Sequence, residues 1–291
     1  MTAPSESPTL PAAGSPDPIA ANGAEPSLPA LRAEIDRLDD VMHDLLMQRA
    51  DVVARLANSR AKGSGTPLRP GREALILRRL LARHAGPLPR AALVRLWREI
   101  FASSTLMQGN FSVALFIRQP EEERIAREHF GSGTPVRLHP SGAAALAAVS
   151  SGKASLAVLP LPQEAEPAEA AWWTRLESPR LQVVARLPFL STAEHGQEML
   201  AVAPVPPDET GHDRSLVRLE TGRSLSRAAV TQALAAAGLV PRNLQLRTDA
   251  GFTRVLVELD GALQADDARL AGLPFDRAQP LGFYAVPERG E

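Results

Sequence analysis

The sequence predicts a multidomain chain of α and α/β type: an all-helical N-terminal unit, a small α/β unit, and a C-terminal βαββαβ unit. Two observations carry this. From Leu28 to Asn110 the apolar residues recur at three- and four-residue spacing with almost no strand signal, and after Gly109 short β-type runs alternate with helical ones. We place the boundaries at 1–27 (a disordered tail), 28–110, 111–207 and 208–291, the last following a joint at Pro204, Pro206 and Pro207.

The first 27 residues hold six prolines, no aromatic residue and no Lys or Arg. Such a segment cannot bury enough apolar surface to fold, and it lacks the charged start and apolar middle of a secretory signal. From Leu28 to about Lys62 the stripe Leu31, Ile35, Leu38, Met42, Leu45, Arg49, Val52, Leu56 describes one helix face of about nine turns, long enough that it should lie against other helices. Gly63, Ser64, Gly65, Thr66 and Pro67 break it. A second helix runs from Pro70 or Gly71, a residue pair suited to a first turn, to about His84, with Ile76, Leu77, Leu80 and Leu81 inward. A third runs from about Arg90 to Gln108, with Leu93, Trp97, Ile100, Ser104 and Met107 as its inward row.

Beyond Gly109 the expected elements are strand Val113–Ile117, helix Glu121–Phe130, strand Val136–Leu138, helix Gly142–Ser150 and strand Leu156–Leu159, which suit a small parallel sheet. After the proline-rich joint come strand Leu216–Leu219, helix Leu225–Ala237, strands Leu244–Leu246 and Thr253–Leu259, helix Asp266–Leu270 and strand Leu281–Val286. Their order is that of the ferredoxin-like ligand-sensing units. Trp172 and Trp173 fit a core plug better than a stacking platform.

Composition narrows the function. With no cysteine there is no disulfide, thiolate metal site or cysteine nucleophile, and a reducing, cytoplasmic setting is expected. The six histidines have no ligand spacing, so no metal is expected. A net charge of −1 gives no field for nucleic acid, and no apolar run approaches the roughly 20 residues of a membrane span. Between Leu28 and Asn110, however, fourteen Lys or Arg face eight Asp or Glu, an excess of six that would welcome an anion.

That excess includes charges in the wrong place. Arg49 interrupts the apolar stripe of the first helix, Arg60 repeats the pattern one turn past Leu56, and Arg32 opens it one turn after Leu28. One such arginine would ordinarily snorkel to solvent; three on one face call for counter-charges. Glu73 shares a face with Ile76, Leu77 and Leu80, and Gln108 lies one turn beyond Ser104. Taken singly, Glu73 suits a surface partner for Arg72 or Arg69, Ser104 a bond to its own helix backbone, and Gln108 a cap. Together they make a set of oriented donors without a nucleophile or phosphate loop, fit to hold an anion and stabilise developing charge.

The pattern Leu31-Arg32, Leu38-Asp39, Leu45-Leu46, Arg49, Arg60, Arg72-Glu73, Ser104 and Gln108 resembles the all-helical chorismate mutase family, over about 80 residues. The resemblance implies conversion of chorismate to prephenate by pericyclic rearrangement in aromatic amino-acid biosynthesis, on the route to phenylalanine, without a cofactor and in an intertwined homodimer. It assigns Arg49 and Arg32 to the two substrate carboxylates, with Arg32 supplied by the partner chain. Arg72 joins the binding set, Glu73 takes the ring hydroxyl, Gln108 the ether oxygen, and Ser104 supports the substrate. Family members usually offer a lysine eleven residues after the first-helix arginine. Here that place is Arg60, with Lys62 two residues on, and either could serve the ether oxygen.

The remainder resembles the prephenate dehydratase and ACT-type regulatory portions of bifunctional chorismate mutase/prephenate dehydratase proteins, through Ala157-Val158-Leu159-Pro160-Leu161, Phe252 to Gly261, and Leu281-Gly282-Phe283-Tyr284. The dehydratase motifs are altered. Glu198-Met199-Leu200 stands for Thr-Arg-Phe, Pro162-Gln163-Glu164 for Glu-Asn-Ser, and Gln119-Pro120-Glu121 for a Gly-rich opening. Gly222-Arg223-Ser224-Leu225 and Arg247-Thr248-Asp249 replace the regulatory signatures. Since a decarboxylative dehydration needs a positioned proton donor, dehydratase activity is not expected. The alternatives are a bifunctional enzyme and a non-catalytic ligand-sensing dimer.

Overall fold

The computed structural model describes residues 26–60, 67–164, 166–191, 196–249 and 251–290. Two compact units divide at Arg49 and Ala50. The tail expected over 1–27 lies outside the described residues up to 25, and the break after the first helix lies outside them from 61 to 66.

Helix α1 spans Leu28–Arg60 without interruption, as the periodicity requires. Its apolar stripe is not core in the single chain. Leu31, Ile35, Leu38, Met42, Leu45, Val52 and Leu56 are all exposed, Leu45 to 58%; Val53, one residue off the stripe, is buried, and Arg49 is half-buried. Periodicity reports which face is apolar, whereas burial needs a surface to cover it.

Helices α2 (Pro70–Arg83) and α3 (Arg90–Gln108) follow. Pro70 opens α2, where its missing N–H costs nothing. On α2, Leu77 and Leu81 are buried and Ile76 and Leu80 partly so. On α3 the expected row is corrected. Leu93 and Ser104 are buried, but Met107 is 48% exposed, and the buried stripe passes instead through Val94, Arg98, Phe101, Ala102 and Thr105. The face is rotated because α2 and α3 share their core with Phe189, Leu190 and Ala285 of the following region. Two polar ties and one close backbone approach support that packing. Arg69 Nη2 meets Asp208 at 2.8 Å; Arg78 reaches Glu288 at 2.9 Å, Thr210 Oγ1 at 2.8 Å and the carbonyls of His212 and Val286; and a Cβ on Gly71 would stand 2.5 Å from the Asp208 carbonyl oxygen.

The rest is built on one sheet. Its strands are β1 (Val113–Leu115), β2 (Val136–Leu138), β3 (Leu156–Pro160), β4 (Gln182–Leu187), β6 (Met199–Ala203), β7 (Asp213–Thr221), β8 (Pro241–Asp249), β9 (Phe252–Asp260) and β10 (Arg277–Ala285). The two-residue strands β5 (Leu190–Ser191) and β11 (Glu288–Arg289) pair separately. Among the described residues the spatial order is β2-β1-β3-β6-β4-β10-β7-β9-β8. β2, β1 and β3 are parallel, as expected, and α4 (Pro120–Phe130) and α5 (Gly142–Ser150) make their crossovers.

A purely parallel unit was expected here, and the sheet is mixed: β6 is antiparallel to both β3 and β4. Strands β4 and β6 were not anticipated. β6 is buried at every position and β4 at four of its six, so neither shows the alternation of a half-buried strand. The last four strands lie in the order β10-β7-β9-β8, all antiparallel, with α6 (Arg227–Ala236) and α7 (Ala268–Ala271) between them, which is the βαββαβ topology read from the sequence. The halves on either side of the proline-rich joint thus contribute to one continuous sheet.

Local signals set the helix ends. Gln119 and Glu122 form a capping box for α4, whose first turn carries Glu121, Glu122 and Glu123 and whose last carries Arg127 and His129, complementing the helix dipole. Ser141 and Ser226 cap α5 and α6 through Ala144 N at 3.1 Å and Ala229 N at 3.2 Å. The buried Trp172 and Trp173 join the core on the α5 side, and Trp172 Nε1 donates to Pro160 O at 3.1 Å.

The strand pairing between the halves is registered at Gly282 and Val183. Gly282 has φ +122°, sits where the β10 register shifts, and faces Val183 of β4 so closely that a Cβ would collide with the Val183 backbone. Gly282→Ala should therefore destabilise the protein by about 1–3 kcal/mol, read as a lower urea midpoint; an unchanged midpoint would show that the join tolerates a side chain.

Candidate active site

Helices α2 and α3 place Glu73 against Arg98. Arg98 Nη1 donates to Glu73 Oε2 at 2.8 Å, with the guanidinium 5% exposed. Neither charge would survive burial alone, and removing one partner of such a pair is far more costly than never having made it. Burial raises the Glu73 pKa above the usual carboxylate value, and the Arg98 charge opposes that rise. The Arg98 guanidinium also lies 5.7 Å from the centroid of the Phe189 ring, a cation–π distance, and Arg78 approaches the same ring at 5.9 Å.

Arg98 further lines a cleft with Val94, Phe189, Leu190, Ile125 and His129. His129 on α4 is buried, and burial first, then the Arg98 charge, holds its pKa well below 6.5. The imidazole is thereby kept neutral in the fold.

The other expected site residues fall as follows. Arg32 is exposed and Arg49 half-buried on α1. Arg60 ends α1 with its side chain outside the described residues, and Lys62 lies outside them altogether. On α2, Arg72 is exposed while Glu73 turns to Arg98. Ser104 and Gln108 are joined on α3: Ser104 Oγ donates to Ile100 O at 2.6 Å, and Gln108 Nε2 to Ser104 O at 2.9 Å. Within the second unit the structure thus brings together Glu73 with Arg98, and Ser104 with Gln108. Among the described residues no three His, Cys, Asp or Glu side chains are grouped to hold a metal ion, and no helix is long and apolar enough to cross a membrane.

Arg98 was missed by the sequence reading, although its signal was present. It interrupts the row of Val94, Phe101 and Thr105 just as Arg49 interrupts its own stripe. Phe189 could not be anticipated, because the strands flanking it were not read.

With this geometry in hand, the relatives of the chain are informative. Residues 31–109 match the family Chorismate mutase type II. Bifunctional chorismate mutase/prephenate dehydratases are similar over the first part of the chain: that of Stutzerimonas stutzeri is 34% identical over 114 residues, covering 36% of this chain and 30% of the relative. That of Pseudomonas aeruginosa is 33% identical over 113 residues, with the same shares. The matches thus span about a third or less of those relatives' length. Among solved structures, prephenate dehydratase from Arthrobacter aurescens in complex with L-Phe aligns with a TM-score of 0.46 at 14% identity, covering 60% of this chain and 90% of that one. GqqA, a quorum-quenching acylase, aligns with a TM-score of 0.47 at 16% identity, covering 60% and 95%. The chain therefore carries a helical segment, residues 31–109, that matches chorismate mutase type II, and continues into a sheet-rich α/β region.

The depressed His129 pKa has a consequence for stability. Below about pH 6.5 the unfolded chain takes up a proton that the folded chain refuses, so stability falls as pH drops from 6.5 towards the folded value, by at most about 1.4 kcal/mol per pH unit. Denaturant titrations at pH 7.5 and 5.5 should show a smaller loss in His129→Leu than in the wild type; equal losses would refute the assignment.

Proposed function

We propose that the protein is a chorismate mutase, acting on chorismate to give prephenate in aromatic amino-acid biosynthesis in the cytoplasm. The observation that carries this reading is the family match over residues 31–109, which contains every expected site residue from Arg32 to Gln108. The chemistry suits the residues. A unimolecular rearrangement asks for no general acid or base; it asks that a flexible dianion be held with its enolpyruvyl arm over the ring. Arg32 and Arg49 are the proposed carboxylate clamps, with Arg72 beside them, Glu73 the hydroxyl acceptor and Ser104 a support. Negative charge grows on the ether oxygen as its bond to carbon breaks, so Gln108 and either Arg60 or Lys62 would act more strongly on the transition state than on bound substrate.

We further propose that the working form is a homodimer in which the exposed stripe of α1 is covered by a second copy and Arg32 serves the neighbouring site. The support is a run of exposed large apolar side chains from Leu31 to Leu56 on one helix. Residues 111–207 are read as a degenerate dehydratase-like unit and 208–291 as ACT-like. Glu198, at the altered dehydratase motif, is engaged by Arg186 at 2.9 and 2.6 Å, which favours a structural role there over proton transfer.

Purified protein should consume chorismate, followed by its ultraviolet absorbance, and leave prephenate unchanged. Gln108→Ala should lower kcat by roughly 100-fold, the scale of one lost oxyanion donor at about 3 kcal/mol. Arg49→Ala should abolish turnover at unchanged helix content by circular dichroism. Full turnover in that variant would remove the site. Leu38→Glu should convert a dimer to monomer in light scattering; a wild-type monomer would remove the dimer.

A further inference from the structure

The bond from Arg98 takes one carboxylate oxygen of Glu73, Oε2, and Oε1 has no hydrogen bond to a described residue. Arg98 in turn rests on Phe189, which is 4% exposed and belongs to the segment between β4 and β5, more than eighty residues beyond the end of α3. We propose that Arg98 is a positioning residue for Glu73, and that the α/β region, through Phe189, is a structural part of the site on the helices. This rests on the proposed mutase reading, in which Glu73 accepts the ring hydroxyl.

The argument is geometric. A glutamate on a helix has three rotatable bonds before its oxygens, and a single acceptor role for a substrate hydroxyl requires one orientation to be fixed before binding. Arg98 fixes it from the adjacent helix with a charge-assisted bond. An arginine side chain is itself long and costly to order, and it is ordered here by an aromatic face on one side and by the cleft it shares with Val94, Ile125 and His129. The remaining charges around the pair are also placed. Asp208, tied to Arg69 in front of α2, adds a negative field at Glu73; neutral His129 on α4, with Arg95 and Glu128 at the rim of the cleft, faces Arg98; Arg78 shares the Phe189 ring. Arg98 is thus the group that aims the Glu73 carboxylate and opposes the rise that burial gives its pKa.

The test is a double-mutant cycle on the full chain, read by chorismate kinetics against pH. Since the hydroxyl contact exists in bound substrate and transition state alike, Arg98→Met should raise KM about tenfold, the value of one hydrogen bond to a charged group, with kcat changed far less. The acid limb of kcat/KM should move to higher pH, because the buried Glu73 loses its compensating charge. Arg98→Lys should restore the limb towards the wild-type position. In a Glu73→Gln background the Arg98 change should add nothing further, because Arg98 acts through Glu73. Should Arg98→Met not fold, Phe189→Leu takes its place, with a KM rise of about threefold that disappears in the Glu73→Gln background.

An active wild type whose Arg98→Met or Phe189→Leu variant keeps the KM and pH profile overturns the positioning role alone. Effects that simply add to those of Glu73→Gln, or only a lower melting temperature, overturn it equally. A wild type that does not consume chorismate overturns the mutase reading beneath it.

Discussion

The helical pair α2–α3 owes its placement to one buried ion pair. Glu73 and Arg98 neutralise each other at 2.8 Å between the helices, and the Phe189 ring closes the guanidinium from the sheet side. The Arg98 guanidinium is almost wholly buried with Glu73 as its ion-pair partner, so a slide or rotation that separated the two would leave that charge uncompensated in an apolar surround. The surrounding contacts are consistent with that demand. Gly71 permits close approach to Asp208, Arg69 holds Asp208 at 2.8 Å, and Arg78 gathers two segments of the α/β region, at Thr210 and His212 and at Val286 and Glu288.

A second charged cluster organises the middle of the sheet. Arg186 on β4 meets Glu198, Glu258 at 2.8 Å and the Tyr284 hydroxyl at 3.0 Å, and Tyr284 also bonds Glu258. These residues come from β4, β9, β10 and the segment before β6, so the network ties both sides of the proline-rich joint. Burial and the Glu258 carboxylate push the Tyr284 phenol far above its ordinary pKa, keeping it a donor, while neighbouring carboxylates hold Arg186 charged. Glu198 serves this network as one of the carboxylates that hold Arg186.

Helix α1 is the contrasting case. Its apolar stripe, interrupted by Arg49, is exposed in the single chain, and it carries more of the exposed large apolar residues than any other described element. Hydrophobic association is non-directional, so such a face does not name its partner; it only states that water is an unfavourable one.

What the sequence determined by itself was local and periodic. The three long helices, the parallel β1–β3 unit with its crossovers and the βαββαβ order were legible because apolar spacing, prolines, glycines and capping residues act within a few positions of chain. Glu73, Ser104 and Gln108 stood out for the same reason, as polar groups on apolar rows. The tertiary structure alone decided the rest. It set the rotation of α3 that exposes Met107 and buries Arg98, the insertion of β4 and β6 that makes the sheet mixed, and the arrival of Phe189 over the guanidinium. Each depends on surfaces brought together from distant chain segments, and the energy of burying a charge or a strand depends on what those surfaces carry, which no local pattern records.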